Sequence, residues 1–239
     1  MAVFVMLIDN LRKVYLKGGQ VVDNIRIEEE LYISRKFNFD TYGLIKRMID
    51  IILSLIGIII TIPIFLIIGL FIKLESHGPI LFSQKRVGLR GQEFKMYKFR
   101  SMVINAEELK ERLKDQNEMS GPMFKMKDDP RITKIGRFIR KTSIDELPQL
   151  INVLKGEMSL VGPRPSLPEE VKEFEPWMLK RLDVKPGLTC YWQVMGRNNI
   201  EFEEWMKLDI KYVNERNIWI DIKLIFKTFF VLFGDKNAA

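Results

Sequence analysis

Between Ile51 and Ile72 the chain runs for 22 residues without a charge, IILSLIGIIITIPIFLIIGLFI. Elsewhere apolar positions come in short runs or alternate with Lys and Arg. At 1.5 Å per residue the uncharged run would reach about 33 Å, close to the hydrocarbon thickness of a bilayer. The first predicted element is therefore a membrane helix rather than a buried core helix. Pro63 lies in the middle of the run and removes a backbone donor, which predicts a break there. Thr61 is placed to help satisfy the freed carbonyl. Lys46 and Arg47 flank one end, and Lys73, Lys85, Arg86 and Arg90 follow the other. Lys- and Arg-rich flanks are cytoplasmic, and both ends are basic. The pattern favours a re-entrant helix-break-helix over residues 44–75 with both ends on the cytosolic side. A plain span with a basic exterior is the alternative.

The segments around this run read differently. Residues 1–43 open with a short apolar stretch and become mixed and charged, an N-terminal extension with no basic n-region or cleavage site of a signal peptide. Past ESHGPI, residues 80–103 alternate Phe94, Met96 and Phe99 with Lys95, Lys98 and Arg100, which predicts a β-hairpin or two short strands. A polar helix is expected over 105–118 and a break at MSGPMF. In DDPRITKIGRFIRK, Arg131, Lys134, Arg137 and Arg140 recur every three residues, an amphipathic basic helix. It is a solvated face, a membrane-surface face or an anion-binding wall. An apolar helix over 147–156 ends at Gly156. Three prolines and Gly162 then hold an irregular loop around Arg164, a further helix follows (EEVKEFEPWMLKRL), and VKPGLTCYWQVMGRNN is rich in turns. The final apolar stretch, WIDIKLIFKTFFVLF, is short for a span and suits an interfacial helix. The expected class is α/β, mostly helical and membrane-associated, with a small β element and a cytosolic-face catalytic domain over 76–239.

Charge sharpens the picture. The 239 residues carry 38 Lys+Arg against 31 Asp+Glu, a net charge of +7, so a polyanionic partner is expected: an anionic membrane surface, a phosphorylated substrate or nucleic acid. Nucleic acid explains the charge but not the apolar run. One cysteine, Cys190, excludes an intrachain disulfide and a multi-thiolate zinc cluster. One histidine, His77, excludes a His/His metal site and reads as a surface loop residue.

The familiar phosphate loops and the nucleophile elbow are missing from the sequence. Asp128 and Asp129 read as a helix cap. In TSIDELPQL, Ser143 and Glu146 have the spacing of a capping box, and acidic side chains suit a helix N-terminus. From Lys85 to Lys141, however, 16 Lys/Arg face only 8 Asp/Glu, and the pair Asp145–Glu146 follows directly. A carboxylate among cations stays ionised and can attack phosphorus, while its neighbour places Mg²⁺ against phosphate oxygens. Arg164, between Pro163 and Pro165, is either a phosphate clamp or a structural salt bridge.

KMYKFRSM, DDPRITKIGRFIRKTSIDELPQLINVLKGEMSLVGPRP, VKPGLTCYWQVMGRNN and the apolar run ending KLESHGPILFSQKRVG closely resemble the bacterial sugar transferases, the monotopic polyprenyl-phosphate phosphoglycosyl transferases. The resemblance covers about residues 44–233. It implies transfer of a sugar-1-phosphate from a UDP-sugar to undecaprenyl phosphate at the cytosolic face of the bacterial inner membrane. UMP leaves, and an exopolysaccharide, capsule or O-antigen is begun. It further implies a covalent phosphosugar on Asp145, and Mg²⁺ placed by Glu146 with Asp145. Lys98 and Arg100 of KFRSM, Arg140, Arg164, Gln193 and Arg197 fall on phosphate- or nucleotide-binding positions. Ile62-Pro63 replaces the family's Ser-Pro at the helix break, and SHGP replaces SPGP. Anionic lipids are expected partners and nucleic acid is not; a homodimer is left open, as is the sugar. The competing reading is a membrane-anchored scaffold whose basic face serves attachment only.

Overall fold

The structure, a computed structural model, describes residues 40–118, 121–124, 126, 128–195 and 200–234. Apart from Asp40 and Thr41, these residues belong to the unit Tyr42–Ala239. The N-terminal extension predicted over residues 1–43 lies almost wholly outside the described residues, and so does Arg197.

Helix α1, Thr41–Glu75, contains the uncharged run and is long and apolar enough to cross a membrane. The predicted break at Pro63 is not an interruption: α1 is one continuous helix through it. Proline's fixed φ is compatible with helix, and what it removes is one hydrogen bond to the carbonyl four residues back. Thr61 does not take up that carbonyl. Its Oγ1 donates to Gly57 O at 2.7 Å, within its own preceding turn.

The two ends of α1 are held by the same folded body. Near its start, Lys46 Nζ meets Asp221 Oδ2 at 2.7 Å. The Arg47 guanidinium donates to the carbonyls of Val153 and Leu154 at 2.6 and 2.7 Å. Asp50 accepts from Ser159 Oγ and Leu160 N. Near its end, Phe65, Ile68 and Ile72 pack with Phe99 and Ile139, and the Glu75 carboxylate accepts from the backbone N–H groups of Lys134 and Ile135. Between these two sets of contacts Ile59, Ile60 and Ile62 are exposed.

Strands β1 (Leu81–Val87) and β2 (Glu93–Phe99) form the predicted hairpin, antiparallel from Leu81↔Phe99 to Val87↔Glu93. Helix α2, Ala106–Arg112, is shorter than the pattern suggested and is followed by a 3-10 turn at Lys114–Gln116. The basic helix α3 spans Lys134–Lys141, with Thr133 as its cap accepting from Gly136 N. Asp128–Asp129 therefore does not cap it. Asp129 instead forks onto Arg131 (2.6 Å to Nη2, 2.9 Å to Nε), and both are buried. That removes Arg131 from the basic face. Two buried ions that satisfy each other cost less than either alone.

After a 3-10 turn at Ile144–Glu146, helix α4 (Gln149–Lys155) ends on Gly156 at φ 82°. Strand β3 (Ser159–Val161) pairs in parallel with β4 (Gly187–Thr189). The crossover between them holds the proline loop, α5 (Pro168–Lys172) and a 3-10 segment at Met178–Asp183. A Cβ on Gly187 would lie 2.1 Å from Gly162 N, so this pairing needs glycine where the loop leaves the sheet. Helices α6 (Tyr191–Met195), α7 (Phe202–Glu215) and α8 (Ile218–Gly234) complete the described residues. Among the described residues the class is mostly helical with two small sheets, and the core is several small clusters rather than one. Helix α7 was not anticipated, although Phe202, Trp205, Met206, Asp209, Tyr212 and Val213 are its buried face at helical spacing.

Candidate active site

Asp145 and Glu146 sit on the 3-10 turn between α3 and α4. The turn is entered through Ser143 at φ 55°, a left-handed conformation that costs a non-glycine residue roughly 1–3 kcal/mol. Ser143 makes no side-chain cap bond, so the capping box expected from its spacing is not formed. Glu146 is committed elsewhere. Its Oε1 accepts from Lys98 Nζ at 2.7 Å and from Arg164 Nη1 at 2.9 Å. Asp145, 6% exposed, has Oδ2 at 3.6 Å from the same Lys98 Nζ.

Two remote segments converge on this turn, and each is held in place. Lys98 comes from β2, whose backbone is stitched to α4 by Asn152. That side chain accepts from Tyr97 N at 3.0 Å and donates to Lys95 O at 2.7 Å. The strand carrying Lys98 is thus tied to the helix that follows the carboxylates. Arg164 comes from the proline loop, its guanidinium also 5.9 Å from the Trp192 ring. Arg140, exposed in the last turn of α3, acts on Asp145 through its charge.

The two carboxylates differ electrostatically. Burial works to raise Glu146, but Lys98 and Arg164 overcome it and hold its carboxyl well below the usual range. Burial raises Asp145; Lys98 opposes this, and the Glu146 anion adds to it. The expectation that cations and a helix N-terminus would simply stabilise the Asp145 anion is therefore incomplete, because Glu146 takes the direct bonds. On Arg164, burial is outweighed by Glu146, which holds the guanidinium more firmly protonated.

Other predicted residues are not at this cluster. Arg100 is buried and turned toward the end of α1, donating to the carbonyls of Ser76 and His77 at 2.8 and 2.9 Å. It closes that helix, where carbonyls lack partners. Gln193 is buried in α6 and donates to Leu188 O at 3.2 Å. Lys46 and Arg47 are tied to Asp221 and to the end of α4, so neither is a free flank. Conversely, Arg86 was counted as a basic flank but lies inside: its guanidinium donates to Pro165 O at 3.1 Å, next to Arg164. Burial, then the like charge of Arg164, lowers it to about 10.

Among the described residues no group of three or more His, Cys, Asp or Glu side chains could enclose a metal. Mg²⁺ commonly binds through one or two carboxylates together with substrate phosphates, and the Asp145–Glu146 pair fits that smaller donor set.

A model of the bacterial sugar transferase family matches residues 41–235. The chain belongs to that family. Relatives include the galactosyl transferase CpsE of Streptococcus agalactiae, 51% identical over 82% of this chain and 43% of that relative. The undecaprenyl-phosphate galactose phosphotransferase of Salmonella typhimurium is 45% identical over 77% of this chain and 39% of its own length. The exopolysaccharide production protein ExoY of Rhizobium meliloti is 35% identical over 78% of this chain and 84% of its own. The chain thus spans less than half of the first two and most of the third. Every residue of the carboxylate cluster falls inside the family match.

Proposed function

We propose that this chain is an undecaprenyl-phosphate sugar phosphotransferase that uses a UDP-sugar and begins a surface glycan. The observation that carries the reading is the gathering of Lys98, Asp145, Glu146 and Arg164 from three segments of the chain into one partly buried, charge-balanced cluster around a buried Asp145. Asp145 is the nucleophile. An Oδ attacks the sugar-bearing phosphorus of the UDP-sugar, the bond to the UMP oxygen breaks, and UMP leaves with that electron pair. A phosphate oxygen of the lipid then attacks the same phosphorus and Asp145 is released. Burial disfavours a charged Asp145, so the carboxylate gains by sharing its charge with phosphorus. Glu146, kept ionised, fixes Lys98 and Arg164 for the phosphate oxygens. Arg140 adds positive charge at the rim. Asp145 and Glu146 would hold Mg²⁺, which when bound neutralises charge on phosphate oxygens.

Helix α1 supports membrane placement. Both arms of this helix pack on one body with an exposed apolar segment around Pro63 between them. That supports the re-entrant topology, with both ends at the cytosolic face of the inner membrane. Exposed Trp219, Phe226, Phe229 and Phe230 support α8 as an interfacial helix against anionic lipid.

The names of the relatives make galactose the first sugar to test, with glucose and N-acetylgalactosamine as alternatives. UMP release from each UDP-sugar identifies the donor. With that donor and no lipid acceptor, the protein should gain the mass of the sugar phosphate, on the Asp145 peptide. Asp145→Asn should show neither the adduct nor UMP release. Full turnover in Asp145→Asn would refute the nucleophile assignment.

A further inference from the structure

Arg164 reaches Glu146 from a loop that is poorly equipped to hold itself. Pro163 and Pro165 have no N–H to donate, so the segment cannot close on its own backbone. Four successive carbonyls are instead taken from outside. Gly187 N donates to Pro163 O at 2.9 Å, and Val87 N donates to Ser166 O at 2.9 Å. The two between them are held by guanidinium groups: Arg86 on Pro165 O at 3.1 Å and Arg181 on Arg164 O at 2.7 Å.

Arg181 is the more committed of the two. It is 3% exposed and donates also to Ser166 Oγ at 2.5 Å and to Asp209 Oδ2 at 2.7 Å. Asp209, on α7, is 0% exposed. The Arg181 guanidinium lies 5.5 and 5.9 Å from the Phe174 and Trp205 rings, which fix its plane. A buried ion pair of this kind rarely improves stability over apolar packing and is better explained by what it orients.

We propose that Arg181, held by Asp209, is a positioning residue for Arg164: it pins the Arg164 carbonyl so that the side chain stays aimed at the phosphate site. This rests on the phosphate role given to Arg164 above. Arg181 does not touch substrate. Because a guanidinium can serve Arg164 O, Ser166 Oγ and Asp209 at once and a lysine amine cannot with that fork, Arg181→Lys keeps the charge opposite Asp209 but loosens the loop. A shift of the order of 1 Å in a phosphate-gripping group is enough to cost about tenfold or more in rate.

The test is a mutant cycle on kcat/KM for UDP-galactose, read by UMP release with undecaprenyl phosphate present, alongside the Tm of each purified protein. UDP-glucose replaces UDP-galactose if it is the better donor. Arg181→Lys should lower kcat/KM about tenfold, mainly through kcat. In an Arg164→Ala background, the same change should cost less than about twofold, since the group it aims has already gone. Asp209→Asn, which leaves Arg181 in place and removes the charge that holds it, should repeat the pattern and serves if Arg181→Lys does not fold. Losses that multiply in the double variant would assign Arg181 to general stability and overturn the proposal. So would full activity in Arg181→Lys and in Asp209→Asn. An Arg164→Ala variant with unchanged kcat/KM would instead remove the phosphate role of Arg164, and the proposal would fall with its premise.

Discussion

Asp145 and Glu146 are adjacent in the chain and share Lys98, yet their charges are treated differently. Lys98 and Arg164 make their hydrogen bonds to Glu146, while Asp145 lies 3.6 Å from the Lys98 amine and is pushed upward, first by burial. A protonated Asp145 cannot attack, so turnover should fall as pH drops through its raised pKa. Lys98 is the strongest influence pulling that pKa down. Lys98→Met should therefore move the acid limb of the kcat/KM profile to higher pH, besides lowering its plateau; an unshifted limb would mean another group controls it. Stability carries the opposite sign at Glu146. Its depressed carboxyl contributes stability fully present above the ordinary value of 4.5 and lost as pH falls toward the folded value. Thermal scans of wild type and Lys98→Met should therefore differ less in acid than at neutral pH.

At the scale of elements, several basic residues that look interchangeable in the sequence have distinct partners. Arg47 closes the carbonyl end of α4, and Arg100 closes the end of α1. Arg131 is consumed by Asp129. Replacing Arg47 by Ala removes two charge-assisted bonds at the end of α4 and should cost about 2 kcal/mol. In a chain of this size that lowers Tm by roughly 4–8 °C. Because α4 follows the carboxylate turn directly, a local loosening should also reduce UMP release. An unchanged Tm in Arg47→Ala would show these bonds to be exchangeable with water. The hairpin, the α4 stop at Gly156 and the terminal apolar helix were all legible from alternation, glycine and hydropathy. The capping box was not, since spacing shows which bonds are possible and Ser143's left-handed backbone decides against this one.

For the whole molecule, α1 is the element that ties fold to location. Its first half grips β3, α4 and α8, and its second half packs on β2 and α3, all parts of one body. Thr41→Cys and His77→Cys, introduced singly, should both be modified by a thiol reagent applied to the cytosolic face and by none applied outside. Cys190, buried, should contribute little background. Modification from opposite faces would establish a span and contradict the re-entrant reading. The helix stays unbroken through Pro63, so a re-entrant course requires it to bend without breaking, and a proline, which removes one hydrogen bond, is where a helix bends.

The sequence by itself determined that a 22-residue apolar helix, a hairpin and a basic, proline-locked region surround one acidic pair, because these depend on local patterning and on residue types read in order. Its resemblance to a family also singled out Lys98, Asp145, Glu146 and Arg164. Which cations meet that pair, and which only hold the frame, was decided by tertiary structure. Arg164 and Arg100 are both arginines beside recognisable motifs, but one faces Glu146 and the other the end of α1. Arg86, Asn152, Arg181 and Asp209 have no local signal at all, since their partners lie on other elements. A buried polar group needs a partner brought to it by the fold, and one-dimensional spacing carries no record of that meeting.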